Sequence, residues 1–275
     1  MTVRHAACIG LVGAAALAAC SDSGGPGGGI SIDDLVGAWK ATTVTYTSQA
    51  DAGERIDRIA GGGFATATVG DEGAYAFVLV PADGEPEVGS GFMIVESGFL
   101  LVQNITEPGL TIAFAVTLGN GTLGLVSDEP TYDFDGDGET EPAILQIRLG
   151  RISGASIADL EGEWTATEYR LISQPAEADT FDIIAENGGL AMAIDAVGRY
   201  SAEIAEPGEP PIVEAGLATV DGDELILVPM GQVVPTEFTF QLSSDTLLLE
   251  GEAQYDFGGG GTVMDARVEI MLVRS

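Results

Sequence analysis

Beyond residue 20 the chain contains neither histidine nor cysteine: its one histidine is His5, and its two cysteines are Cys8 and Cys20. Nucleophilic sites of the Ser-His-Asp or Cys-His kind need an imidazole to move a proton, and ordinary zinc sites need imidazole or thiolate ligands. Both chemistries are excluded from that long remainder. A catalytic site there would have to be assembled from Asp, Glu, Tyr, Arg or the single lysine, Lys40. Paired carboxylates are the form it would take. With no imidazole to work near neutral pH, we read the chain as non-enzymatic.

The carboxylates offer one sharper motif, Asp133-Phe134-Asp135-Gly136-Asp137-Gly138-Glu139. Oxygens alternating at the first, third and fifth positions, with glycine to allow a sharp turn, are what a calcium loop supplies to a hard cation. Asp133, Asp135, Asp137 and Glu139 are therefore candidate metal ligands, and calcium is the one candidate cofactor. The competing reading is an acidic solvated loop. Ile144 stands where an EF-hand places its bidentate Glu, and no helical pattern flanks the motif.

Charge narrows the partners. Acidic residues outnumber basic ones 43 to 10, a net charge of −33. Such a surface repels phosphate backbones and anionic headgroups, so nucleic acid is excluded as a partner. Hydrophobic residues make up 45% of the chain and mean hydropathy is +0.25, enough to bury a core without disulfides. The 39 glycines are scattered beside short apolar runs, as many turns between short strands require.

The chain repeats itself. Asp34-Leu35-Val36-Gly37-Ala38-Trp39 opens one half, and Asp159-Leu160-Glu161-Gly162-Glu163-Trp164 opens the other. Tyr132-Asp133-Phe134 and Tyr255-Asp256-Phe257 come near the ends, which close on Arg151 and Arg274. The tryptophan pair and the arginine pair keep one offset to within two residues, which points to a duplicated domain. We place the copies at 31–152 and 153–275, joined by the short segment 152–157, so the two should lie close together.

Within each copy the apolar residues alternate. Ile112, Phe114 and Val116 face away from Thr111, Ala113 and Ala115, as Val268, Ile270 and Leu272 do from Arg267 and Glu269. This period of two belongs to half-buried antiparallel strands, about eight per copy, separated by turns such as Asn120-Gly121 and Asp221-Gly222. The fold class is all-β. Periodicity alone leaves a closed up-and-down barrel and a two-sheet sandwich both open.

Two resemblances add to this reading. Leu17-Ala18-Ala19-Cys20 follows a short apolar run and resembles the lipobox of bacterial lipoproteins. That resemblance implies a signal peptide at 1–19, a lipidated Cys20 and a Gly-rich tether over 20–30. It also implies a membrane partner reached through the lipid and a place in the cell envelope; Ser21 resembles the outer-membrane sorting signal. The Gly-x-Trp openings, Gly37-Ala38-Trp39 and Gly162-Glu163-Trp164, resemble the first strand of lipocalins. There the Trp plugs the closed end of an eight-stranded barrel under a basic residue from the last strand. The resemblance implies tandem lipocalin-like antiparallel β-barrels closed by Trp39 with Arg151 and by Trp164 with Arg274.

In a barrel, residues level with the tryptophans would line the interior. Counting by twos brings in Thr43 and Thr45, or Glu168 and Arg170. A β-bulge just after the Trp would instead bring in Val44, Tyr46, Tyr169 and Leu171, the arrangement we favour. The expected function is a small apolar ligand held in one or both barrels. The alternative is an envelope lipoprotein with filled barrels and a protein partner, stabilised by calcium.

Overall fold

The computed structural model describes residues 29–82, 84–105, 109–174, 179–231 and 234–275. The signal segment, Cys20 and all of the tether up to residue 28 lie outside the described residues.

Among the described residues nineteen strands follow one another in order. The first ten are β1 (Gly37–Ser48), β2 (Arg55–Asp57), β3 (Phe64–Val69), β4 (Ala74–Val80), β5 (Glu87–Glu96), β6 (Phe99–Asn104), β7 (Thr111–Gly119), β8 (Thr122–Ser127), β9 (Thr131–Tyr132) and β10 (Glu141–Arg151). The second copy runs through β11 (Gly162–Ser173), β12 (Thr180–Asp182), β13 (Gly189–Ile194), β14 (Arg199–Ala205), β15 (Ile212–Asp221), β16 (Glu224–Pro229), β17 (Thr236–Ser243), β18 (Thr246–Tyr255) and β19 (Met264–Arg274). Neighbours in sequence pair antiparallel, and β10 returns to β1 as β19 returns to β11. The short strands β2, β9 and β12 only flank the walls. The result is two closed eight-stranded up-and-down barrels in tandem, so the sandwich alternative falls. Closure leaves no bare wall edge to pair with another chain.

The bulge occurs in both copies. Register slips between Ala41 and Thr43 opposite β10, and between Ala166 and Glu168 opposite β19. One extra residue reverses which side chains face inward. Val44 and Leu171 are buried, and Tyr46 and Tyr169 pack on the cores. Arg170 goes to the outside, where it meets Glu269 at 2.6 Å.

The barrels lean on each other through their outer walls. Ala76 and Val78 of β4 pack with Val197, Leu217 of β15, and Ile226 and Val228 of β16. The Thr66 and Thr219 hydroxyls share a buried hydrogen bond of 2.6 Å, and Lys40 meets Asp221 at 2.6 Å. Strand β4, Ala-Tyr-Ala-Phe-Val-Leu-Val, is apolar on both faces because one lines a barrel and the other its neighbour.

Candidate functional site

The closed end of each barrel is built the same way. A turn of 3-10 helix, Ile32–Asp34 or Ile157–Leu160, begins at a serine whose backbone N–H and hydroxyl bond an aspartate three residues on: Ser31 to Asp34, Ser156 to Asp159. This is a reciprocal cap, and it aims the chain into the first strand. Trp39 and Trp164, each 1% exposed, then donate their indole N–H to the carbonyls of Leu35 and Leu160 at 2.8 Å.

Arg151 stands opposite Trp39 in register, and Arg274 opposite Trp164. Their guanidinium carbons lie 4.3 and 4.4 Å from the indole centroids. Arg151 also donates to the carbonyls of Val36 (2.6 Å) and Asp34 (2.9 Å). Arg274 donates to those of Glu161 and Asp159. The glycine of each Gly-x-Trp has a clear purpose. Gly37 and Gly162 have φ of +120° and +136°, and a Cβ there would lie 2.8 and 2.6 Å from the arginine Nη1. All four closure residues form the base and leave the interior to others.

Above that base the two interiors differ. Barrel 1 encloses a cavity of about 240 Å³ lined by Val44, Ala65, Phe77, Met93, Ile112 and Leu125, among others of apolar type. At the matching register positions barrel 2 exchanges Val44 for Tyr169, Ala65 for Leu190, Val102 for Leu227 and Val116 for Phe240. These larger side chains belong to a core that includes Met192, Leu225, Leu249 and Ile270, all buried. Other exchanges run the other way, among them Tyr46 for Leu171, Leu145 for Val268, Phe77 for Ala202 and Met93 for Ala218. The void therefore comes from how the side chains fit, not from a simple deficit of volume.

Polar groups at this cavity are few. Glu87 and Asn104 line it, and Glu87 is held by Arg58 at 2.5 Å. Arg58 also lies 5.8 Å from the ring of Tyr132, which stacks on Tyr46 at 4.6 Å and meets Phe134 edge-on at 5.2 Å. The Tyr-Asp-Phe element thus packs beside β1, and Tyr255 does likewise with Phe181 and Phe257. Burial pushes the Tyr46 hydroxyl above its ordinary value, with Glu87 adding to it. Tyr75, deeper in the wall, is pushed up to about 12 by burial.

The acidic loop comes together as its spacing suggested. Carboxylate oxygens of Asp133, Asp135 and Asp137 lie within 4.8 Å of one another, and Glu139 is exposed beside them. Much of their hydrogen-bonding capacity is used locally. Asp133 accepts N–H bonds from Gly136 (2.7 Å) and Gly138 (2.9 Å), Asp135 from Asp137, and Asp137 from Glu139. Asp256 does the same work in the second copy, accepting from Gly258 and Gly261. Those bonds, chiefly the one from Gly261, hold the Asp256 carboxyl below its ordinary value. The first aspartate is a turn-former in both copies.

Sequence reasoning missed the Arg58–Glu87 pair, the Tyr75 environment and the contacts between barrels. Only the last had a signal, the unbroken apolar run of β4. Fold and site together define a double β-barrel protein whose first barrel holds an apolar cavity and whose second carries a core of buried side chains. The chain matches no family model, and no curated protein matches it.

Proposed function

We propose that this chain is a non-enzymatic lipoprotein of the bacterial cell envelope, anchored through a lipid on Cys20, whose first lipocalin-like barrel binds a small apolar ligand. The observation that carries the reading is the cavity of about 240 Å³ in barrel 1 and its apolar lining. Its volume exceeds the roughly 150 Å³ void that takes up benzene and falls below the 300 Å³ or so of pockets for drug-sized molecules. A ligand of about ten heavy atoms fits that interval. Barrel 2, joined to barrel 1 by the Thr66–Thr219 bond and the apolar contact around Val78 and Ile226, acts as a rigid companion.

Mass spectrometry of an organic extract from natively purified protein tests the binding. A small apolar molecule that leaves when Ala65 is replaced by Leu supports it, and an empty extract together with no uptake of added probes removes it. Metabolic labelling with palmitate tests the anchor: label should appear on the wild-type chain and vanish in Cys20→Ser. Calcium at Asp133, Asp135, Asp137 and Glu139 is an accessory proposal supported by the convergence of three carboxylates. Its test is a melting temperature that rises with calcium in the wild type but not in Asp135→Asn; no rise removes it.

A further inference from the structure

The two copies treat one equivalent tyrosine differently. Tyr200 on β14 faces Gly216 on β15, and its hydroxyl donates to Glu214 at 2.8 Å. Tyr75 on β4 faces Gly91 on β5 in the same way. The residue matching Glu214 is Gly89, which stands opposite Phe77 as Glu214 stands opposite Ala202. The exchange is concerted. The Phe77 ring lies over Gly89, where a Cβ would come 2.2 Å from its Cε1. In barrel 2 the small Ala202 leaves that space to the carboxylate. Barrel 1 therefore lacks that partner, and the Phe77 ring fills the place it would occupy.

Tyr75 is 2% exposed and lines the cavity, and its hydroxyl makes no hydrogen bond among the described residues. The oxygen is not among the buried polar atoms left unpaired, so it keeps surface open to the cavity, and a bound molecule with an acceptor would gain a hydrogen bond from it inside an apolar wall. Resting on the reading of barrel 1 as a binding site, we propose that the Tyr75 hydroxyl anchors the ligand, which is a neutral, mostly apolar molecule carrying one hydrogen-bond acceptor. Charge follows from the lining. Glu87 is the one charged side chain there among the described residues, and Arg58 beside it is already engaged by Glu87. A carboxylate or phosphate would lose its hydration and find no free cation, whereas a ketone, ester or ether loses little. Apart from Glu87, Asn104, Thr66 and the Tyr46 hydroxyl, the wall around Tyr75 offers apolar surface.

A matched pair of probes separates anchoring from filling: acetophenone, which carries a carbonyl, and α-methylstyrene, in which a methylene replaces that oxygen. Binding of each to the full chain is measured by calorimetry for the wild type and for Tyr75→Phe, with a melting curve to confirm folding. Acetophenone should lose roughly three- to tenfold in affinity in the variant, while α-methylstyrene is unchanged or gains. A second variant, Phe77→Ala with Gly89→Glu, transplants the arrangement of barrel 2 and should likewise erase the preference for acetophenone. Two probes that bind the wild type and respond alike to Tyr75→Phe overturn the anchor and leave the binding site standing. If neither probe binds the wild type, the anchor and the binding reading fall together.

Discussion

Replacing Ala65 by Leu should stabilise the protein and close its site in one step. Ala65 lines the cavity, and Leu190 occupies the matching place in barrel 2. The new side chain adds three carbons to space that no atom fills. Burial of each contributes about 0.8 kcal/mol, or about 2.4 kcal/mol together. Fixing one leucine rotamer costs about 0.5–1 kcal/mol. The net expectation is about 1.5 kcal/mol of added stability, a rise of a few degrees in melting temperature. Urea denaturation should show a higher midpoint at unchanged slope, which marks a stability change without a change in exposed surface. Binding of acetophenone should fall at least tenfold. A variant destabilised by more than about 1 kcal/mol would refute the reasoning, because that is the signature of overpacking a filled core. Unchanged binding would refute it as well.

Three further outcomes test other parts of the structure. Arg151→Met removes a ring contact and two bonds to carbonyls, and should cost about 1–3 kcal/mol in urea denaturation; Arg148→Met on the exposed side of the same strand should stay within about 0.5 kcal/mol. Thr66→Val alone leaves the Thr219 hydroxyl buried without its partner and should cost about 1–3 kcal/mol, whereas the double change with Thr219→Val should recover most of it; simple additivity would argue against a shared bond between the barrels. The Asp256 carboxyl titrates lower in the folded chain than in the unfolded one, so its contribution is complete above the ordinary carboxylate value of about 4 and is lost as pH falls through the depressed native value. The urea midpoints of wild type and Asp256→Asn should therefore converge in acid, and a gap independent of pH would contradict that role.

Much of the architecture was legible because it rests on local rules. Alternating runs such as Leu145–Leu149 declare their inner and outer faces, and Asn120-Gly121 declares a hairpin, borne out by φ of +45° and +76° at its two residues. The Trp39–Arg151 and Trp164–Arg274 pairs could be matched because a closing strand must bring its end beside the start of the first. The inward set on β1 and β11 was harder, since literal counting and a bulge give opposite answers. The bulge prevailed because Val44 and Leu171 belong in the core and Arg170 does not.

By itself the sequence determined the duplication, the strands, the turns and the residues that close each base. These depend on side-chain period and on chemistry between near neighbours along or across one pair of strands. Tertiary structure alone decided that barrel 1 holds a cavity, that β4 lies between two cores, and that Tyr75 lacks the partner Tyr200 has. Each of those is settled by how side chains from several strands meet in three dimensions. Exchanges such as Ala65 for Leu190 and Phe77 for Ala202 nearly offset one another in bulk, so only their placement shows where space is left.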